Sequence, residues 1–396
     1  MNYKYILFLI LGIDVFVLYS QTSELSISYL EASIVYGDIS FLQTLLNISF
    51  HFFGENDFAL RFPMILMHLL SAVLLYLVSK KYLKYERDRL WLILIFVLLP
   101  GVISASIIIN SAGLIIFGLL LFLYVYENFS IKYSYLLLAN YAFIESGFVY
   151  LFISLIVYSY SSKNRNFLIF NLILLALSVY LYGFNSHGLP KGYFLDALGL
   201  YATVFTPIIF IYLFYVLYKR LLKKEIDILW YISSVTLLIS LVLSFRQKIQ
   251  VEIFAPYLII ALPLIVQTFG SAYRVRLKIF RTKYKTFFIL SLILLFINSF
   301  LVIFNKEIYR VIENPKKHFA YRMHIAKELS KELKYRGIDC IDSSPKMSLR
   351  LQFYGIDSCS KYKLTKVKKE DDLNNVTISY KNIEVYRAGV TKINNY

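Results

Sequence analysis

The chain has 396 residues, 58% of them hydrophobic, with a mean hydropathy of +0.61. That is more apolar surface than a soluble domain of this size needs, so a multi-span membrane protein is the first reading. The net charge of +17 does not point to nucleic acid, because most of the excess sits in short loops between apolar runs, where it sets topology. The abundance of Tyr and Phe, alongside Ile, Lys and Asn, reads as the composition bias of an AT-rich genome rather than as an aromatic binding stripe.

A weakly basic lead, Met1-Asn2-Tyr3-Lys4, runs into an apolar stretch at 5–19. No small-residue cleavage pattern follows at Ser20-Gln21-Thr22, so an uncleaved first span is expected. A polar and aromatic loop then occupies 24–63 and carries Glu31 just beyond the first span. The second span, 62–79, ends in Lys80, Lys81, Lys84, Arg87 and Arg89, and spans at 90–109 and 114–126 follow. The stretch 135–160 reads as one long helix or as two short ones broken at Glu145-Ser146-Gly147. Splitting it places Lys163, Arg165, Lys219, Arg220, Lys223, Lys224 and the basic run 274–285 on the same side as the 80–89 cluster, as the positive-inside rule requires. With spans at 167–184, 200–218, 229–245, 253–269 and 286–304, about eleven result. The N-terminus is then inside and the C-terminus outside. The loop 21–61, the Asn110 turn, the loop 185–199, the short loop 246–252 and the tail share the outer face.

The expected organisation is an all-α polytopic membrane domain over 1–304 and a small α/β extracytoplasmic domain over 305–396. In the tail, Phe319, Met323, Ala326, Leu329 and Leu333 fall at helical spacing, with Gly337 as a C-cap. The segments 338–341, 376–380 and 384–386 read as short strands. Both cysteines, Cys340 and Cys359, lie there. Outside the cytoplasm they are candidates for a disulfide, two unrelated buried thiols being the alternative.

No nucleotide-binding glycine loop, HExxH, CxxC or Walker sequence is present. An enzyme at this membrane surface therefore needs a carboxylate base, cations for a phosphate, and an apolar groove. Glu31, near the membrane boundary, is the first acid to consider, since partial desolvation raises a carboxyl toward a useful base; a solvated loop glutamate is the plain alternative. Arg61, where the second span begins, fits a membrane anchor equally well. Arg246 and Lys248 sit in a short outer loop against the charge bias, suiting a lipid phosphate or simple snorkelling. His187 and Lys191 are candidates of the same kind. Asp14 and Glu145 lie in or near apolar spans and need partners, with helix pairing expected for Asp14.

The run Gly54-Glu55-Asn56-Asp57-Phe58-Ala59-Leu60-Arg61-Phe62-Pro63, followed by an apolar helix and a basic turn, resembles the GT-C fold membrane glycosyltransferases. These are the lipid-phosphosugar enzymes of the protein O-mannosyltransferase and lipid A aminoarabinose transferase type, glycosyltransferase family 39-like. Leu30-Glu31-Ala32 stands where that family has an acidic pair. Ala255-Pro256-Tyr257-Leu258-Ile259-Ile260-Ala261-Leu262-Pro263, preceded by Arg246 and Lys248, resembles its late Tyr-x-x-x-x-x-Pro helix. The resemblance covers 5–270 and leaves the tail unmatched.

It implies a membrane enzyme that moves a hexosyl or pentosyl group from a polyprenyl-phosphate donor to a lipid, glycan or protein acceptor outside the cytoplasm. Glu31 would be the base and Arg246 and Lys248 the phosphate ligands, with Arg61, Tyr257, His187 and Lys191 completing the substrate set. No cofactor is implied. With few acids on that face no tightly held metal is expected, a loosely held divalent ion being left open. The chain departs from the family at three places: the Asp of the acidic pair falls on Leu30, a second acid falls on the neutral Asn110-Ser111, and a Lys-Gly pair is replaced by Ser146-Gly147. A scaffold with a partner-binding tail would account for the missing acids. A flippase would show cations in mid-span and inverted repeats, and neither is visible.

Overall fold

Long apolar runs become helices throughout the chain, and prolines decide where several of them break. The computed structural model describes residues 3–183, 192–365 and 375–393. In chain order the helices are α1 (Tyr3–Thr22), α2 (Tyr29–Tyr36), α3 (Phe41–Phe53), α4 (Asp57–Tyr82), α5 (Glu86–Leu98), α6 (Pro100–Ile107), α7 (Ser111–Asn128), α8 (Ile131–Ile144), α9 (Val149–Ser161) and α10 (Arg165–Tyr182). Then come α11 (Phe194–Phe205), α12 (Pro207–Lys223), α13 (Ile228–Ser244), α14 (Val251–Ile259), α15 (Leu262–Val275), α16 (Lys278–Ile303), α17 (Ala326–Tyr335) and α18 (Pro345–Gln352). Among the described residues three strands follow: β1 (Tyr362–Thr365), β2 (Asn375–Tyr380) and β3 (Ile383–Lys392). The chain falls into two compact units, Met1–Phe16 with Met64–Ser299, and Val17–Pro63 with Phe300–Tyr396.

The first unit is a helical bundle. Among the described residues six helices are long and apolar enough to cross a membrane, or eight if each bent pair is one span. The expected count of about eleven is reached only if the shorter helices α8, α9 and α13 cross as well. The stretches 90–109 and 200–218 are not straight spans: Pro100 and Pro207 each start a new helix, and the pairs α5–α6 and α11–α12 bend by 61° and 106°. Proline lacks the amide proton and crowds the preceding turn, so a helix stops before it. The 13 residues of α9 and the 17 of α13 rise only about 20 and 26 Å, short of the roughly 30 Å hydrocarbon core. The chain does break at Glu145-Ser146-Gly147, between α8 and α9.

Within the bundle Asp14 pairs with His68 Nε2 at 2.7 Å, and the imidazole stacks on Phe96. A paired acid is what an apolar span tolerates. Gly118 of α7 marks a close approach, since a Cβ there would come 2.5 Å from the Phe148 ring. The missing side chain lets Phe148 stack on Tyr141 at 4.3 Å while the Tyr141 hydroxyl donates to the Gly118 carbonyl at 2.7 Å. By contrast, α16 buries only Leu295 and Ser299 of its 26 residues.

In the second unit, β3 is central in the order β1-β3-β2, antiparallel on both sides. Ile325, Leu329 and Leu333 pack with Ile341, Leu351, Val376 and Val390. The tail helix is shorter than its periodicity suggested, beginning at Ala326 instead of Phe319. The segment Tyr321–His324 is a 3-10 turn, and the Met323 carbonyl accepts from Ser26 N at 2.8 Å rather than continuing a helix. Gly337, at φ +71°, follows the end of α17, where its amide bonds Lys334 O at 2.9 Å and that of Ile338 bonds Leu333 O at 2.9 Å. This is a glycine C-cap. The segment at 338–341 makes only an isolated bridge, Cys340 with Asp357. Cys340 and Cys359 are joined by a disulfide.

Two outcomes follow for the tail. Thiol labelling of denatured, unreduced protein should find no free thiol and, after reduction, two; labelling before reduction would break the pairing. The second concerns pH. Burial pushes the His324 imidazole down to about 3, with Lys306 and His318 adding to the shift, and burial also lowers His318. A histidine with a depressed folded pKa binds fewer protons folded than unfolded. Its stabilisation is therefore complete above the unfolded value near 6.5 and is lost as pH falls toward the folded one. Denaturant midpoints read by a probe on the tail should fall between pH 6.5 and 4, and H324F should flatten that slope. An unchanged slope in H324F would show that His324 does not set it.

Candidate functional site

Ser28-Tyr29-Leu30-Glu31 opens α2 as a capping box. Ser28 Oγ accepts from Glu31 N at 3.2 Å, and Ser28 N donates to Glu31 Oε2 at 2.7 Å. The pattern S-x-x-E is a helix start, and the carboxylate favours the positive helix N-terminus. Glu31 is fully buried, and its charge acts on Arg350. Leu30, where the Asp of the family's acidic pair would fall, is 61% exposed. The residue expected in a loop is thus in the first turn of a helix, turned inward, while its outward neighbour is apolar.

Arg61 is also fully buried. Its Nη1 donates to Thr22 O at 3.2 Å and Asp57 O at 3.1 Å, and its Nη2 to Ser26 O at 3.3 Å. Asp57, one turn earlier on α4, lies 3.6 Å from Nη1. The Asp57 carboxylate accepts from the Tyr354 hydroxyl at 2.7 Å and meets Lys327 Nζ at 2.7 Å. Tyr354 in turn accepts from Ile27 N at 2.9 Å, and Arg350 Nε donates to Ile27 O at 2.9 Å. Lys327 also donates to Ser23 O at 2.6 Å, and Lys306 pairs with Glu24 at 2.6 Å, holding its carboxyl below the usual range. Burial pushes the Tyr354 phenol far up and pulls Arg350 down to about 10. Segment 23–28 is held by Arg61 of α4 and, from the tail, by Lys306, Lys327 of α17, Arg350 of α18 and Tyr354.

The bundle presents a second carboxylate. Glu145 ends α8 in an extended conformation, half-buried. Ser146 Oγ donates to its Oε1 at 3.0 Å and Ser111 Oγ to its Oε2 at 3.1 Å. Ser111 begins α7, whose N-cap is Asn110. The place where the family's second acid maps to a neutral pair is therefore supplied with a carboxylate from another helix. Next to it Gly147 has no room for a side chain, because a Cβ would come 2.5 Å from Ile115 and 3.5 Å from Ile253 of α14. Tyr257, fully buried on α14, donates its hydroxyl to Gly147 O at 2.7 Å, and Ser233 Oγ donates to the Tyr257 carbonyl at 2.8 Å. Tyr257 thus fastens α14 to the break that carries Glu145.

Arg246 and Lys248 are exposed in the turn between α13 and α14, and among the described residues neither has an ion-pair partner. Lys248 is five residues before Ile253, so this turn leads into the helix that touches the Gly147 break. His187 and Lys191 lie outside the described residues. Glu31 and Arg61 belong to one unit, Glu145, Arg246, Lys248 and Tyr257 to the other. The capping role of Glu31 was readable from Ser28 three residues earlier; the Glu145–Ser111 contact, spanning 34 residues of sequence, had no local signal.

No family model matches the chain, and no curated protein matches it. Among solved structures, the crystal structure of ArnT from Cupriavidus metallidurans in the apo state superposes with a TM-score of 0.61 over 98% of each chain, at 11% identity. The chain has the ArnT fold. It is a multi-pass membrane protein of that architecture, and the GT-C-type resemblance carried by residues 54–63 is borne out as a statement of fold. At so low an identity the likeness to ArnT extends to the fold alone.

Arg61 generates the test for this region. R61M removes three bonds to main-chain carbonyls while Asp57 keeps Lys327 and Tyr354, so the loss should be about 2–3 kcal/mol. Hydrogen exchange of the purified chain should speed up at residues 22–28. Wild-type protection there would mean that Arg61 does not hold the segment.

Proposed function

We propose that the protein is a membrane glycosyltransferase of GT-C type, moving a sugar from a polyprenyl-phosphate carrier to a lipid, glycan or protein acceptor outside the cytoplasm. The observation that carries this reading is the ArnT fold over 98% of both chains. The basic clusters support an inside N-terminus and an outside C-terminus, with residues 305–396 as an extracytoplasmic domain. The disulfide supports an oxidising surround for that domain.

In the reaction, an acceptor hydroxyl attacks the anomeric carbon and the bond from that carbon to the carrier phosphate oxygen breaks. The phosphate leaves with the electron pair, and a carboxylate takes the proton. Arg246 and Lys248 are the cations proposed for the departing phosphate, since they are exposed and unpaired. His187 and Lys191 remain proposed as further substrate contacts. Arg61 and Tyr257 are proposed as positioning residues, because both are buried and bonded to main chain.

Two carboxylates compete for the base. Geometry favours Glu145, which is half-buried, fronted by two hydroxyls and carried by the same unit as Arg246 and Lys248. Glu31, the residue expected from the sequence, is the second reading, favoured by its place beside the family's acidic-pair position.

Glutamine serves a capping box as well as glutamate does, so E31Q keeps the fold of α2 while removing any base. E145Q keeps the acceptor oxygen for one serine. In a complementation assay, a deletion strain should accumulate the charged carrier lipid. E145Q should fail to restore transfer by about a hundred- to ten-thousand-fold, and E31Q should restore it. The reverse pattern would assign the base to Glu31. Full activity of both variants would remove carboxylate base catalysis by either, and a deletion strain without carrier accumulation would overturn the transferase reading.

A further inference from the structure

The first unit contains a second binding feature, independent of the reaction. A cleft of about 940 Å³ separates the N-terminal half of α16 from α5, α12 and α15. It lies at the upper end of ligand-pocket volumes, about 300–1,000 Å³. Its walls are aromatic and aliphatic: Trp91 meets Phe288 edge-on at 5.2 Å, Phe288 stacks on Phe269 at 5.1 Å, and Tyr212 meets Phe269 at 6.2 Å. Its charges gather where α5, α15 and α16 have their basic turns. Four cations, Lys84, Arg87, Arg274 and Lys285, face two carboxylates, Glu86 and Asp88, leaving a net +2. Arg274 is neutralised by Asp88 at 2.6 Å. Lys84, Arg87 and Lys285 are exposed, and among the described residues none has an ion-pair partner.

A helix that buries two residues of 26 leaves apolar side chains on the cleft side that a bilayer must cover. An apolar slot whose charged end is cationic fits an amphiphile with an anionic head. We propose that this cleft is a resident site for an anionic glycerophospholipid, its acyl chains lying between α16 and the bundle and its head phosphate met by Lys84, Arg87 and Lys285. Basic pockets between membrane helices recognise anionic headgroups in this way, through charges at headgroup depth. The aromatic walls make the slot more than a charged surface, because they shape where the chains lie.

Trp91 is one of only two tryptophans in the chain, and it lines the cleft, so it reports occupancy directly. The purified full chain is reconstituted in phosphatidylcholine vesicles carrying a minor fraction of brominated phosphatidylglycerol or, separately, the same fraction of brominated phosphatidylcholine. Fluorescence of a W91F chain gives the Trp230 background. Quenching of Trp91 should show about a tenfold preference for the brominated phosphatidylglycerol. The K84A/R87A/K285A chain should lose that preference while still being quenched, and K84R/R87K/K285R should keep it. Equal quenching by the two lipids in the wild type would overturn the proposal. So would an absence of quenching, or a preference that survives in the alanine triple.

Discussion

A guanidinium removed from solvent must have its charge and its protons answered by the protein, and Arg61 imposes that requirement on everything around it. Isolated buried charge costs several kcal/mol even after relaxation, so the residue is tolerable only where acceptors converge. Three main-chain carbonyls and the neighbouring Asp57 do so. Asp57 in turn requires Lys327 and Tyr354. Each satisfied group leaves the next one needing a partner, and the chain of demands ends only when the first loop and the tail have closed on each other. Asp57 and Arg61, both within the run 54–63 that resembles the GT-C family, are the residues that organise the loop.

How much of this was readable beforehand depends on whether a feature is local. The breaks at Pro100 and Pro207 follow from proline chemistry, yet an eleven-span count treated both stretches as straight because hydropathy averages over them. Ser28 and Glu31 spell a capping box, and Ser40 with Gln43 begins α3 in a related way, with Ser40 Oγ accepting from Gln43 N at 3.1 Å. Both signals lie inside a segment whose polar residues read as a loop. In the tail, helical spacing ran on through Phe319 and Met323, but the chain there is diverted because Met323 lends its carbonyl to Ser26. Long-range partners left no trace: nothing near Arg350 or Tyr354 announces that they bind Ile27, and nothing near Ser111 announces Glu145.

The two carboxylates, Glu31 and Glu145, sit in different surroundings. In the acidic-pair segment the outward position is a leucine and the inward one a cap. At the α8–α9 break, a glutamate extends toward the start of α7 instead. Irregular main chain inside a membrane bundle is tolerable where neighbouring protein buries and bonds it, and Tyr257 supplies that bond at Gly147. The break and the carboxylate thus share one support, α14, whose entering turn bears the unpaired cations.

The loop's partners come from the far end of the chain, and this orders events during biosynthesis. Val17–Pro63 emerges early, while Lys306, Lys327, Arg350 and Tyr354 emerge only after the whole bundle has been made. At about 5–20 residues per second, the roughly 240 intervening residues take about 12–50 s. For that interval Glu24 and Asp57 lack their lysines, Arg61 has only local carbonyls, and the loop waits unlatched. The first loop is completed by residues 306–354, so a ribosome that stops inside α16 leaves that loop without its later partners.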